Sequence, residues 1–264
     1  MIVMKRTLIS LALAATVASG SAMAWTANGS GGNFELGGSL NPFTPETPWE
    51  VKVGDAITGL DAEVQKGQKM VEIKLNNAIP ILGIRTKVKK AFAGKSGYSP
   101  QIDFGDAIDM GDLISGDLKL TLAVKGLDGA KIGTMTAPFF AAGFMSWKNT
   151  NSGNGGSAGM YASSPGDGFF GGLRTIDDQS NPADNVRAAI KLMPDIADKL
   201  DPQGFTLEKE MDKVSFNVSK LLYSGFYASG IEAGKAVRIA LESPASADVP
   251  VQWKASLPVT VVYM

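Results

Sequence analysis

Four runs of this chain alternate apolar and polar residues with a period of two. In "MVEIKL" the repeating positions are Val71, Ile73 and Leu75, and in "LKLTLAV" they are Leu118, Leu120, Leu122 and Val124. "AVRIALE" repeats Val237, Ile239 and Leu241, and "LPVTVVY" repeats Leu257, Val259, Val261 and Tyr263. Successive side chains of a strand point to opposite faces, so each run buries one face and wets the other. Glycine and proline between the runs mark turns. Short half-buried antiparallel strands over this length predict a mainly β chain, a β-sandwich rather than an α/β fold.

Composition narrows what holds such a sandwich together and what it does. The chain has no cysteine and no histidine. Without disulfide staples, stability rests on burial alone or on a partner. Histidine triads, cysteine nucleophiles and ordinary zinc sites are excluded. No two acids are singled out by spacing as a catalytic pair, so the expectation is a chain that is not an enzyme and needs no cofactor and no metal. Its 25 basic residues nearly match 26 acidic ones, which gives no reason to expect a nucleic-acid partner.

Residues 1–24 have the three parts of a secretory signal peptide. Lys5 and Arg6 precede the apolar run "TLISLALAATVASG", and Ala22-Met23-Ala24 forms a small-x-small cleavage site. The run is too short and too rich in small residues for a membrane anchor. The expected product is exported and begins at Trp25.

One segment departs from the period of two. In "NPADNVRAAIKLMPDIADKL" (181–200), Val186, Ile190, Met193, Ala197 and Leu200 recur at helical spacing. Asn181 is placed to cap this helix and Pro182 to open it, while Pro194 should kink or divide it. The expected helix packs on the sandwich. Before it, the Gly-, Ser- and Asn-rich stretch 149–172 reads as surface structure with few strands. Residues at about 141–225 therefore read as an insertion between strands.

Three clusters have bland readings. Asp103, Asp106, Asp109 and Asp112 lack the calcium-loop spacing and read as turn carboxylates facing water. Lys87 and Lys89 of "KVKKAFAGK", with Lys90 and Lys95 nearby, read as the charged face of a protected edge strand. The aromatics Trp147, Tyr161, Phe169, Phe170, Phe205, Tyr223, Phe226 and Tyr227 read mainly as core. In "YSGFY", strand geometry places Phe226 opposite Tyr223 and Tyr227, so at least one ring is expected to face outward.

The stretch "WTANGSGGNFELGGSL" (25–40) holds five glycines, yet Phe34, Leu36, Gly38 and Leu40 fall on one side of an extended chain. A one-sided segment with a flexible lead suits strand addition to another molecule's open sheet edge. Each large side chain would contribute about 1.5–3 kcal/mol if fully buried. A first strand in the chain's own sheet has the same pattern.

Taken in order, the signal peptide, "GGNFELGGSL", "PWEVKVG" (48–54), "IPILGIRTK" (79–87), "SPQIDF" (99–104) and "WKASLPVTVVY" (253–263) resemble the K-type, or kappa clade, fimbrial subunits of the chaperone–usher class. The similarity is weakest in the middle of the chain. That resemblance implies an incomplete immunoglobulin-like β-sandwich, 41–264, with a partly helical insertion, completed by donor-strand exchange. By position, Phe34, Leu36, Gly38 and Leu40 match the donor strand within the extension 25–40. Leu257, Val259, Val261 and Tyr263 match the groove-edge strand that a chaperone pairs with. The implied partners are neighbouring pilus subunits, a periplasmic chaperone, an outer-membrane usher and host glycoconjugates. The implied location, reached through the periplasm, is a cell-surface fimbrium. Competing readings are a free-standing secreted glycan-binding module, an outer-membrane β-barrel, whose last strand also alternates, and a secreted carbohydrate-active enzyme.

Overall fold

The alternating runs become strands with their apolar sides turned inward. The computed structural model describes residues 36–39, 46–114, 117–176, 181–206, 210–246 and 250–264. The chain divides into two units, Met1–Thr44 and Pro45–Met264. In the first, residues 36–39 have no regular secondary structure.

The second unit contains, in order, β1 (Trp49–Val53), β2 (Met70–Lys74), β3 (Ile79–Thr86), β4 (Phe92–Ala93), β5 (Pro100–Asp103), β6 (Ile108–Ile114) and β7 (Asp117–Lys125). There follow β8 (Lys131–Asn149), β9 (Gly155–Met160), α1 (Pro182–Leu192), β10 (Met211–Asp212), β11 (Leu221–Ile231), β12 (Ala236–Leu241), β13 (Lys254–Ala255) and β14 (Thr260–Tyr263). The result is a mainly β architecture, a sandwich with α1 in the segment between β8 and β11.

The long strand β8 belongs to both layers. Its first half, 131–139, pairs with β7 and β12; its second half, 140–149, pairs with β11 and β9. One layer runs β1-β3-β11-β8 and continues through β9 to β10. The other runs β2-β12-β8-β7, with β6 and β13 both on β7. A separate two-stranded piece pairs β5 with β14. Among the described residues the path through the large sheet ends at β1 and β2 and does not close, unlike a membrane barrel, whose strands leave no edge.

The main core lies between the layers. Leu118, Leu120, Leu122 and Val124 of β7 are all buried, as are Ile73 and Leu75, Val237 and Ile239, while Val71 and Leu241 are partly buried against the same cluster. The expected alternation is therefore present in β2, β7 and β12.

β8 and β11 hide their alternation because both of their faces are covered. Tyr223 and Tyr227 enter the main core, whereas Phe226 and Ala228 point the other way and meet Phe140, Ala142 and Phe144 beneath α1. Tyr223, Phe226 and Tyr227 are each no more than 1% exposed. The expectation that one of these rings faces water is thus corrected. Phe226 does face away from the main core, but the helix supplies a second core on that side.

Asn181 caps α1, its side chain accepting from Ala183 N–H at 3.0 Å, and Pro182 opens it. The helix does not continue past Leu192. Met193 is extended, its N–H donating to Ala189 O, because a residue before proline is driven out of the helical region. The segment after Pro194 forms turns instead of a second helix. Of the five expected positions, Met193 is buried in the second core and Val186, Ala197 and Leu200 pack partly buried against it, while Ile190 departs at 39% exposed; Pro182, Ala189, Leu192 and Ile196 are buried as well. Met193 and Ile196 rest on Gly83 of β3, where a side chain would collide with them.

Two loop readings are also revised. Within 149–172, residues Gly155–Met160 form β9, and Phe169 is fully buried. Lys87, Lys89 and Lys90 lie in a bend after β3 rather than in an edge strand, and Lys199 Nζ donates to Lys87 O. The side chains of Asp103, Asp106 and Asp109 lie in exposed residues. Asp103 Oδ1 accepts from Gly105 N–H at 2.7 Å, as a turn carboxylate does.

Candidate functional site

The last eleven residues before Met264 keep strict alternation. Trp253, Ala255, Leu257, Val259, Val261 and Tyr263 turn toward the main core, and the residues between them are exposed. The inward set is only half-buried, in contrast to the fully covered inward set of β7. The segment starts on the β7 edge, where Lys254 and Ala255 pair with Lys125 and Val124, and then crosses to β5. There Thr260, Val261, Val262 and Tyr263 stand opposite Asp103, Ile102, Gln101 and Pro100. Ser99 and Met264 extend the ladder by exchanging two backbone bonds of 3.0 Å each. Among the described residues, β14 is paired on this side alone.

β1 has the same one-sidedness. Among the described residues it pairs with β3 alone, Trp49 opposite Thr86 through Val53 opposite Leu82. Trp49, Val51 and Val53 share one face, and cover falls away along it. Trp49 is 2% exposed, Val51 42% and Val53 57%.

The two open edges meet at one end. Thr47, two residues before β1, lies beside Tyr263 at the end of β14. Trp49 Nε1 donates to Tyr98 O at 2.6 Å, close to the start of β5. Burial raises the pKa of the Tyr263 phenol above its ordinary value, with the neighbouring Thr47 side chain acting in the opposite direction. From this junction no ladder joins β1 to β14 among the described residues. The arrangement offers unpaired backbone groups and half-covered apolar side chains to an extended segment.

Of the four expected donor positions, Phe34 and Leu40 lie outside the described residues. Leu36 is 86% exposed, and Gly38 is exposed too. The four groove-edge positions, Leu257, Val259, Val261 and Tyr263, lie together on the inward face of the terminal segment. The open face of β1 was not singled out by the sequence, since "WEVKV" is too short for its alternation to be distinguished from chance.

The floor beneath both edges is aromatic. Trp49 meets Phe92, Phe169 and Phe216 edge-on at 5.1, 5.5 and 4.9 Å, and Phe169 stacks on Tyr227 at 5.6 Å. Tyr223 joins this group; burial pushes its pKa up to about 12, and its hydroxyl has no hydrogen-bond partner among the described residues.

A second concavity, about 380 Å³, lies where α1 meets the strands. Its lining includes Tyr161, Arg174, Asp184, Asn185 and Phe140. Among the described residues no group of three or more acidic side chains is placed to hold a metal ion.

Residues 4–264 match the family described as "Fimbrial, major and minor subunit". K88 fimbrial proteins AD and AB of Escherichia coli are each 26% identical to the chain over 291 residues, and K88 fimbrial protein AC over 294 residues. Each alignment covers 98% of this chain and all of the relative.

Proposed function

Because the chain belongs to the fimbrial major and minor subunit family, we propose that it polymerises by donor-strand complementation and takes its place in a cell-surface fimbrium. The segment Phe34–Leu40 of a neighbouring subunit lies between β1 and β14, its apolar side chains covering the half-bare rows of both strands. The observation that carries this reading is the contrast between β7 and the terminal segment: both alternate, but the inward residues of β7 are fully covered and those of the terminal segment only half-covered. A strand placed there would bury apolar area and satisfy backbone groups together. Before assembly the same edge would aggregate if left open. That need suits a periplasmic chaperone pairing with Leu257, Val259, Val261 and Tyr263, followed by transfer at an outer-membrane usher.

The test compares two forms of the protein. One lacks residues 25–40; the other also lacks them but carries residues 28–40 joined after Met264. The joined form is expected to unfold at a clearly higher urea concentration. Equal midpoints would remove the basis for donor-strand complementation.

Contact with host glycoconjugates is the second part of the proposal. The cleft beside α1 brings the Tyr161 ring near planar hydrogen-bonding groups on Arg174 and Asn185, a combination suited to a sugar's apolar face and hydroxyl groups. Binding to a glycan panel that is lost in Tyr161→Ala would support it. Retention of all binding would place the contact elsewhere.

A further inference from the structure

Residue Phe169, in the segment between β8 and β11, touches elements at both open edges. Its ring lies 5.5 Å from that of Trp49 on β1, and its N–H donates to Pro100 O of β5 at 2.8 Å. β5 in turn carries β14. Phe169 is completely buried, yet its φ is +63°, a left-handed conformation that a bulky side chain avoids. Such a conformation persists only where surrounding contacts hold it.

Those contacts are specific. Ile102 N–H donates to Phe170 O at 2.8 Å, so the 166–171 loop occupies the edge of β5 opposite β14. Gln101, only 7% exposed, accepts from Gly166 N–H and donates to Asp167 O, both at 2.9 Å. Asp167 Oδ2 accepts from the N–H groups of Ser163 and Ser164, each at 2.9 Å. Gly171 lies so close to β5 that a Cβ would strike the Ile102 carbonyl oxygen.

We infer that the 163–171 loop and the open edges are energetically coupled through β5 and Phe169, so that filling the edges tightens the loop. The inference rests on the donor-strand reading and adds a consequence for the outer part of the subunit. An occupant that fixes β1 and β14 restrains both Trp49 and β5, and therefore two sides of Phe169. By reciprocity, loosening the loop must weaken the hold on the occupant by the same factor.

The test is hydrogen exchange on the full chain, alone and with an excess of a synthetic peptide of residues 28–40. The amides of Val261 and Tyr263 report on the edge, and those of Ile102 and Phe169 on the loop. With peptide, exchange is expected to slow about tenfold at both sets, within the usual range of coupling between sites. Slowing at Val261 and Tyr263 alone overturns the coupling while leaving the donor reading intact. Slowing at neither overturns both. In Gly171→Ala, peptide dissociation is expected to accelerate about tenfold; an unchanged rate in a folded variant also overturns the inference. Should that variant not fold, exchange in the unsubstituted chain decides.

Discussion

The side chains of Thr47 and Tyr263, 216 positions apart in the chain, meet and bring the approach to β1 against the end of β14. Thr47 is buried and Tyr263 is half-buried, so their contact is partly shielded from water. Tyr263→Phe removes the phenol hydroxyl while keeping the ring. The expected cost is at most about 1 kcal/mol in urea unfolding, the usual net value of a hydroxyl's polar contact. Thr47→Val should cost a similar amount, and the double variant less than the total of both, because each change breaks the same contact.

Alkaline stability follows from the buried phenols. Burial raises the Tyr223 pKa to about 12 from 10.0 and also raises those of Tyr227 and Tyr263. The unfolded chain therefore ionises first. Stability should be level with respect to these groups below pH 10 and fall as pH rises through about 12. Denaturant midpoints across pH 9–12 test this, and Tyr223→Phe should flatten the decline. It should also remove the cost of a buried hydroxyl without a partner.

The second core makes a prediction that contradicts the simple helical pattern. Phe226→Ala should cost about 3–5 kcal/mol, the usual penalty for emptying a buried aromatic position. Ile190, expected at the helix–sheet contact from spacing, is 39% exposed, so Ile190→Ser should change stability by no more than about 0.5 kcal/mol. Thermal unfolding of both variants checks the helix orientation. A large loss at Ile190 would contradict it.

Two aspartate substitutions distinguish a covered strand from an uncovered one. Leu120 is 1% exposed on β7, so Leu120→Asp should prevent folding, a carboxylate there having no water and no partner. Val261→Asp lies on the half-buried row and should leave the isolated chain folded while abolishing capture of the 28–40 peptide. Circular dichroism and peptide titration read the two effects separately. Equal damage to the fold from both would show that β14 is already fully covered.

Much of the sandwich was legible in the sequence for one physical reason. Where a strand has water on one side, its residues alternate, and β2, β7, β12 and the terminal segment all do. The helix start was legible as well, because Asn181 and Pro182 act locally on the first turn. The long strands β8 and β11 were not. Runs such as "APFFAAGFM" and "YSGFYASGI" are covered on both faces, and a strand with no wet side has no period to show. The same cause turned Phe226 from an expected outward ring into part of a core.

The sequence by itself determined the strand faces, the helix cap, the absence of disulfide and histidine chemistry, and a one-sided apolar segment near the N-terminus. These depend on residue type and spacing, which act over a few positions. Only the tertiary structure decided that β1 and β14 are each paired on one side among the described residues, that α1 covers the far face of β11, and that Phe169 reaches both edges. Those relations join residues remote in the chain, and what settles them is which surfaces remain without a neighbour once every strand has paired.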